Sequence, residues 1–271
     1  MEIENLVNEL EAVLRLGFFA AVFGLMLVWE LRAPKRELTV PKTARWANNL
    51  GLLLLNSLVL RFLFPAAAVG IAYSVGQNGW GLFNLLQLPY WLEVIAAVLL
   101  LDLAIYLQHL VMHRVPMLWR LHRVHHADLD IDLTTGSRFH TVEIVFSMLI
   151  KWAVIALLGP ALLAVLIFEI LLNGMALFNH ANVSLPPAVD RQLRKLLVTP
   201  DMHRVHHSVI KNETDSNYGF NLSLWDRMFR TYIDQPREGH LGMTIGLSEF
   251  RDQRQVERLP GMLAMPFVNK P

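Results

Sequence analysis

Ten of the eleven histidines in this chain lie beside, or between, apolar stretches long enough to cross a membrane. Eight of the ten fall into three short clusters, and two stand singly between clusters. The clusters are His109 and His113, then His122, His125 and His126, then His203, His206 and His207; the single residues are His140 and His180. Because neutral imidazole is the commonest metal ligand in proteins, this distribution predicts metal binding at a membrane surface.

The composition favours membrane insertion. Apolar residues make up 54% of the chain and charged residues 17%, compared with roughly 45–50% and 25% in soluble proteins. The net charge of +1 predicts no nucleic-acid partner. The sequence contains no cysteine, which excludes thiolate metal sites and cysteine-ligated iron–sulfur clusters within it. The first residues are acidic, unlike the basic start of a cleavable signal, so the first apolar stretch is expected to be a retained helix.

Five apolar stretches approach the roughly 20 residues that a transmembrane helix requires. They are Leu14 to Trp29, Trp46 to Tyr73 with interruptions at Arg61 and Pro65, Trp91 to about Leu107, and two stretches between Glu143 and Phe178 that divide at Gly159-Pro160. The fourth stretch is short and carries Lys151, so a full span and a re-entrant hairpin both stay open. The sequence predicts an all-α integral membrane protein with about four to five transmembrane or re-entrant helices.

The basic residues predict the orientation. Lys and Arg are concentrated after the first span, between the third and fourth spans, and in residues 182–271, whereas the two remaining connections have none. The positive-inside rule then places the N-terminus outside and all ten histidines at the cytoplasmic face. We expect a single membrane domain over 1–271. Its parts are three spans in 14–107, a cytoplasmic histidine loop in 108–140, a helical hairpin in 141–180, and a cytoplasmic helical cap with the third cluster in 181–271.

The spacing of the histidines suits a helical metal site. Residues three or four positions apart share a helix face, so H-x-x-x-H and H-x-x-H-H each aim two or three imidazoles in one direction. Ten candidates exceed the needs of one metal, and two adjacent metals with roughly four or five imidazoles each would use them. The cap is therefore expected to hold a histidine-rich dimetal site. His240 lies outside every cluster and is expected at the surface.

Polar residues within or beside the predicted spans are candidates to support the metal ligands. Such residues are costly in a bilayer and usually face a functional interior. Six could accept hydrogen bonds from ligating imidazoles: Asp102, Tyr106, Glu143, Glu169, Asn173 and Asn182. Asp102 and Asn173 could instead join helices to one another.

The donor set narrows the chemistry. Zinc is normally satisfied by three or four ligands, and no H-E-x-x-H motif occurs. Soluble di-iron carboxylate bundles use Glu-x-x-His, which is also absent from the sequence. A redox-active pair of irons in an all-imidazole shell remains a good fit. Such a pair could activate dioxygen with two electrons supplied from outside, and the membrane position implies a lipid substrate.

The motifs resemble those of the fatty acid hydroxylase superfamily, also called the sterol desaturase family, over about residues 29–233. The matching segments are Asp102-x-x-x-Tyr106-x-x-His109-x-x-x-His113-Arg114, Trp119-Arg120-x-His122-x-Val124-His125-His126, Arg138-Phe139-His140-x-x-Glu143, His180-Ala181-Asn182, Thr199-Pro200-x-x-His203-Arg204-x-His206-His207 and Asn217-Tyr218-Gly219. The resemblance implies that all ten clustered or single histidines bind two iron ions (Fe2+). It also implies a membrane-bound oxidoreductase that hydroxylates or desaturates a sterol, fatty acyl chain or related lipid, with dioxygen as co-substrate. The electron donor would be a separate protein, either cytochrome b5-like or a ferredoxin with its reductase.

Two other functions stay open on the sequence alone. A metal transporter would need ligands through the depth of the bilayer, whereas these histidines cluster at one face. A non-catalytic metal-binding relative would have kept the scaffold without the reaction. The sequence does not specify the lipid, the reacting carbon or the oligomeric state.

Overall fold

The fold is helical throughout the part of the chain described by the structure, a computed structural model covering residues 2–269, with side chains described from residue 13. No β-strand occurs in this range, where the extended pairings are isolated bridges. The helices of the first two thirds are α1 (Glu2–Arg32), α2 (Lys42–Leu63), α3 (Ala67–Gln77), α4 (Leu82–Leu86), α5 (Tyr90–Arg114), α6 (Pro116–His126), α7 (Thr141–Leu158) and α8 (Leu162–His180).

Short helices and irregular segments make up the remainder. They are α9 (Pro187–Leu193), α10 (Pro200–His206), α11 (Lys211–Thr214), α12 (Leu224–Met228), α13 (Gly239–Gly242), α14 (Gln253–Val256) and α15 (Leu259–Ala264). We call residues 181–269 the cap. Its many short elements reflect frequent Pro and Gly, which start or end helices.

Five helical segments of the described chain are long and apolar enough to cross a membrane. They are Val13–Arg32, Lys42–Leu86, Tyr90–Arg114, Thr141–Leu158 and Leu162–His180. This finding confirms the prediction of an all-α, multi-pass membrane protein. Many of their outward side chains are exposed apolar groups, as expected for contact with lipid.

The second predicted span differs in detail from the structure. Residues 46–73 are divided between α2, which ends at Leu63, and α3, which begins at Ala67. Pro65 explains the break, because it lacks an N–H for the helix ladder and restricts the residue before it. The third span is one continuous helix through His109 and His113, as predicted.

A tight turn joins α7 to α8. Gly159 adopts φ +60° at the end of α7, and a Cβ at this position would collide with the Trp80 carbonyl oxygen. Glycine is therefore required both by its backbone conformation and by the close packing. The turn reverses the chain between α7 and α8, and the far ends of the two helices carry Glu143 and His180.

Buried charges fix the loop that follows α6. The fully buried guanidinium of Arg45 in α2 donates to Asp128 at 2.8 Å and to Asp132 at 2.7 Å. At the end of α1, Glu30 accepts hydrogen bonds from the backbone N–H groups of Leu133 and Asn182. These contacts tie the first two helices to the histidine-bearing segments, so α6, α8 and the cap are held in one arrangement.

Candidate metal centre

Five buried histidines from three helices form one compact group. Their ligating nitrogens lie within 4.8 Å of one another, and the members are His109, His113, His122, His126 and His206. Only Val115 separates α5 from α6, and Pro116 starts α6 in its first turn. This sharp corner places the histidines of α5 opposite those of α6, and α10 closes the group. We call it the five-histidine group.

Four more histidines form a second group beside the first. Its members, also buried and within 4.8 Å of one another, are His125, His180, His203 and His207. They come from α6, the end of α8 and the α10 segment. We call it the four-histidine group. The prediction of roughly four or five imidazoles for each metal matches the sizes of the two groups.

Consecutive histidines are shared out between the groups. His125 belongs to the four-histidine group and His126 to the five-histidine group. In the same way, His206 belongs to the five-histidine group and His207 to the four-histidine group. One residue turns a helix by about 100°, so neighbours on α6 point in different directions. The rings of His126 and His207 stack with centroids 4.7 Å apart, which places the two groups in contact.

Hydrogen bonds set the tautomers of the five-histidine group. Nδ1 of His109 lies 2.7 Å from the Tyr218 carbonyl oxygen, and Nδ1 of His206 lies 2.6 Å from the Ser216 carbonyl oxygen. A carbonyl oxygen can only accept, so both Nδ1 atoms donate and each Nε2 carries a lone pair. The two Nε2 atoms lie 3.0 Å apart. Two lone pairs face each other at this distance, an arrangement that a cation between them would stabilise.

The same arrangement occurs in the four-histidine group. Nδ1 of His180 donates to the Ala176 carbonyl oxygen at 2.8 Å. Its Nε2 lone pair then lies 3.1 Å from Nε2 of His125 and 3.0 Å from Nε2 of His203. The Nε2 atoms converge in both groups, so these residues are suited to hold two metal ions through their imidazole rings.

Several buried ring nitrogens lack any hydrogen-bond partner within the described part of the chain. They are both nitrogens of His113 and His207, Nε2 of His126, and Nδ1 of His125 and His203. Buried polar atoms in folded proteins are nearly always paired. The unpaired atoms crowd into the two groups, which is expected if metal coordination satisfies part of this set.

Five of the grouped histidines outside the spans are held in the neutral form. Burial and the nearby imidazoles His122 and His180 lower the pKa of His206 to about 3. The pKa values of His125, His126, His203 and His207 are also well below the usual range, because burial and neighbouring histidines disfavour a positive charge. Neutral imidazole is the metal-binding form, so no proton has to be displaced from these side chains near pH 7.

His140, which is among the predicted ligands, lies in neither group. It precedes α7, where its Nδ1 accepts a hydrogen bond from the Val142 backbone N–H at 3.2 Å, so its side chain caps the helix. His240 differs from the expectation that it lies at the surface. Its side chain is only 10% exposed, and its Nε2 lies 3.7 Å from Asp201.

Glu143 is the one predicted supporting residue that contacts a clustered histidine directly. Its Oε1 accepts from Nδ1 of His122 at 2.6 Å, which fixes the tautomer and leaves Nε2 of His122 as a ligand atom. That Nε2 lies 3.1 Å from Nε2 of His109.

Asp102 and Tyr106 act on the histidines through the cap. Asp102 accepts a hydrogen bond from Trp225 Nε1 at 2.8 Å, and the Tyr106 hydroxyl lies 2.9 Å from Oγ1 of Thr231. These bonds hold the segment that presents the carbonyl of Tyr218 to His109. They position a ligand indirectly.

The other three predicted supporting residues bond elsewhere. Asn182 joins the backbone of Arg36, to which it both donates and accepts. Asn173 donates to the carbonyl oxygen of Glu169, one turn back along α8. The Glu169 carboxylate binds Lys151 and lies far from the histidines, in the middle of α8.

A cavity of about 290 Å³ lies between the helices below the two groups. Phe139 and Glu143 line it on the side of the histidines. The Phe139 ring stacks on His125 with centroids 4.5 Å apart and an interplanar angle of 8°. Asn56 donates to the Phe139 carbonyl oxygen at 2.8 Å and so fixes this segment against α2.

Sequence reasoning missed most of the groups that orient the imidazoles. The carbonyl oxygens of Ala176, Ser216 and Tyr218 do this for three histidines. A backbone carbonyl leaves no mark in the residue type, so the sequence carries no signal for it. Phe139 lies inside a recognised motif, but its stacking on His125 requires the three-dimensional arrangement.

Comparison with known proteins finds relatives that are named as monooxygenases or hydroxylases. An alkylglycerol monooxygenase from Xenopus tropicalis is 30% identical over 208 residues, covering 74% of this chain and 45% of the relative. The ornithine lipid hydroxylase OlsE from Rhizobium tropici is 29% identical over 184 residues, covering 68% and 53%. A cholesterol 25-hydroxylase-like protein from Danio rerio is 26% identical over 259 residues, covering 83% and 94%. The chain spans about half the length of the first two relatives. No solved structure matches it significantly.

The family model named "Fatty acid hydroxylase" matches residues 94–231. This stretch includes every histidine of the five- and four-histidine groups, together with Glu143 and the loop that presents Ser216 and Tyr218. With a match that covers half of the chain and the whole of the clustered histidine set, the chain belongs to the fatty acid hydroxylase family.

Proposed function

We propose that this protein is a membrane-bound oxygenase that hydroxylates a lipid at a C–H bond with two iron ions. The observation that carries the proposal is the pair of buried histidine groups, whose Nε2 atoms converge at 3.0–3.1 Å and which Glu143 and Phe139 connect to a cavity between membrane-spanning helices. Nine imidazoles without thiolates suit iron among the metals that imidazole binds. The names of the relatives, which include lipid monooxygenases and hydroxylases, support the same reaction class.

The proposed ligands are the members of the two groups, and His140 is not included. When bound, the two irons would supply activation of dioxygen with electrons from outside. Each turnover would consume one dioxygen, two electrons and two protons, and would yield the hydroxylated lipid and water. The balance requires a reductant, which we propose is a separate donor protein of the cytochrome b5 or ferredoxin type.

The chain's own residues would prepare the site for this reaction. Glu143 holds the His122 ring by accepting from its Nδ1, and Phe139 separates the four-histidine group from part of the cavity. The surrounding spans exclude water, which prevents loss of reactive oxygen species to side reactions. We further propose that the histidine groups and the cap face the cytoplasm, which the distribution of Lys and Arg supports.

Mass spectrometry of lipid extracts tests the proposal. Cells that make the native protein are compared with cells that make the His206→Ala/His207→Ala variant, in a host with a competent electron donor. A lipid that gains one oxygen only with the native protein is the expected result and identifies the substrate. A lipid that loses two hydrogens instead would replace hydroxylation with desaturation. Identical lipid profiles, with both proteins present at equal levels, would refute the proposal.

A further inference from the structure

Three charged side chains meet between the membrane-spanning helices. Oε2 of Glu169 in α8 lies 2.9 Å from a guanidinium nitrogen of Arg15 in α1. Oε1 of the same carboxylate lies 2.5 Å from the ammonium of Lys151 in α7. Glu169 is buried, with 2% exposure of its side chain. Ionisable groups at this depth are costly and usually mark a binding site or a transport path.

These side chains also line the cavity, which reaches residues that contact the histidine groups. Arg15, Lys151 and Glu169 lie on its wall together with Glu143 and Phe139. A role limited to joining helices does not explain why all three border an open volume. The charged cluster and the residues that contact His122 and His125 therefore share one cavity.

A row of polar side chains on α7 runs from the charged cluster to the part of the cavity nearest the histidines. Glu143, Ser147 and Lys151 all line the cavity, and their spacing of four residues places them on one helix face. At 1.5 Å per residue, the eight residues from Glu143 to Lys151 correspond to about 12 Å along the helix. A ligand held at Lys151 therefore reaches Glu143, the hydrogen-bond partner of His122, with a part of its chain well away from the held group.

Lys151 retains capacity for hydrogen bonding. Among residues 13–269, Glu169 is its one acceptor. An ammonium has three N–H donors, so two of them have no acceptor from this part of the chain. Glu169 is also shared with Arg15, so its negative charge is divided between two cations. A hydrocarbon ligand offers no acceptor to these two donors of Lys151, whereas a carboxylate would accept charge-assisted hydrogen bonds from them.

The volume of the cavity limits the size of the ligand that can bind in it. Pockets for drug-sized molecules have volumes of about 300–1,000 Å³, and this cavity, at about 290 Å³, lies at the lower end of that range. One extended alkyl chain suits this volume better than two chains or a fused ring system.

We propose that the cavity binds a single-chain lipid carboxylic acid, with the carboxylate at Lys151 and the alkyl chain extending past Ser147 to Phe139 and Glu143. Lys151 is then a specificity-determining residue. It fixes which methylene groups lie beside the histidines, by holding the opposite end of the substrate. The binding site follows from the cavity and the charged cluster; only the oxidation of the bound chain rests on the proposed function.

Binding of two probes of equal chain length tests the proposal. The full chain, reconstituted with its metals in nanodiscs, is titrated with tritiated palmitate and with tritiated hexadecan-1-ol. We expect palmitate to bind more tightly. The Lys151→Met substitution is expected to weaken palmitate binding by about tenfold or more and to change hexadecan-1-ol binding little, because a charge-assisted hydrogen bond is lost only with the acid. Lys151→Arg is expected to keep most of the preference.

Arg61→Met is the matched control. Arg61 is also a basic residue of a membrane-spanning segment, but it is exposed and does not line the cavity. Its substitution is expected to leave both probes unaffected. The proposal is overturned if Lys151→Met and Arg61→Met weaken palmitate binding equally. It is also overturned if Lys151→Met weakens the binding of both probes equally, or if Lys151→Met changes the binding of neither.

This binding test is independent of turnover. Oxygenated product combined with palmitate binding that does not depend on Lys151 would remove the lipid-acid site and leave the proposed function. Palmitate selectivity that depends on Lys151, without any oxygenated product, would remove the proposed function and leave the site.

Discussion

The carboxylate of Glu143 lies 2.6 Å from Nδ1 of His122, and the same carboxylate borders the cavity beside the histidine groups. One residue thus fixes the direction of a proposed metal ligand and forms part of the proposed substrate site. Hydrogen-bond partners of this kind usually change metal affinity or activity by about 10–100-fold when they are removed.

We expect Glu143→Leu to lower iron affinity or lipid oxidation by about 10–100-fold, because His122 loses the acceptor that orients it. Glu143→Gln keeps an acceptor oxygen and is expected to show a smaller loss. Iron per chain and product per iron, measured on purified protein, separate the two effects. Glu93→Gln is the control, since Glu93 lies in α5 at the far end from His109 and His113. Native behaviour of Glu143→Leu in both measurements would contradict the role assigned to this carboxylate.

His206→Ala and His140→Ala are expected to differ sharply. His206→Ala removes a member of the five-histidine group and should abolish lipid oxidation and lower bound iron. His140→Ala removes a helix cap, which costs about 0.5–2 kcal/mol of stability, and a contact of Nε2 with the Leu263 carbonyl oxygen, and it should keep the native iron content. Elemental analysis of both variants checks this. Equal loss of iron from the two proteins would restore His140 as a ligand.

Phe139→Ala is expected to broaden the distribution of oxidised carbons. Its ring stacks on His125 and lines the cavity, so its removal enlarges the volume next to the proposed metals and frees the His125 ring. Truncation of a packed aromatic side chain typically costs about 3–5 kcal/mol, so a lower melting temperature is expected as well. Product positions are read by fragmentation mass spectrometry. Phe146→Ala, which truncates an exposed aromatic residue of α7, should keep the native product pattern.

Glu257 is expected to make stability fall as the pH rises. Burial and the negative charge of Asp128 raise its pKa from 4.5 to about 7, although Arg138 and Arg45 act in the opposite direction. A carboxyl whose pKa is higher in the folded protein contributes stability that is complete below its unfolded pKa and is lost as the pH rises through its folded pKa. The window is therefore about pH 4.5 to 7.

Melting temperatures of metal-loaded native protein and Glu257→Gln, measured across and just above this window, test this expectation. The native protein should lose stability relative to the variant as the pH rises. Glu238→Gln alters an exposed carboxylate and should follow the native curve. Parallel curves for native protein and Glu257→Gln would show that Glu257 has the same pKa in the folded and unfolded states.

Much of the scaffold can be predicted from the sequence. Apolar length alone locates the five span regions, and clustered spacing is sufficient to identify His125 and His206 as candidate ligands. A single histidine has no spacing that distinguishes ligation from other roles, so the sequence does not separate His140, which caps a helix, from His180, which belongs to the four-histidine group. Periodicity gives the helix face on which Glu169 lies but not the element opposite that face, which here carries Lys151.

The break at Pro65 can be predicted from the sequence, whereas the contact of the Tyr218 carbonyl oxygen with His109 cannot. Proline has a local effect on the backbone, so its consequence is visible in the sequence. The Tyr218 carbonyl reaches His109 because Asp226 accepts hydrogen bonds from the backbone N–H groups of Tyr218 and Gly219 at 2.8 Å. That contact depends on a turn of the cap and on its docking against α5, which only tertiary packing determines.

The division of consecutive histidines between two groups has a consequence for how the protein acquires metal. Each of the helices α6 and α10 is tied to both groups. The ties are His125 and His126 on α6, and His206 at the end of α10 with the adjacent His207. An ion that enters one group fixes the rotation of both helices and so completes the geometry of the other. Loading should therefore be cooperative, with chains that hold both ions or none, and singly loaded protein should be rare at half saturation.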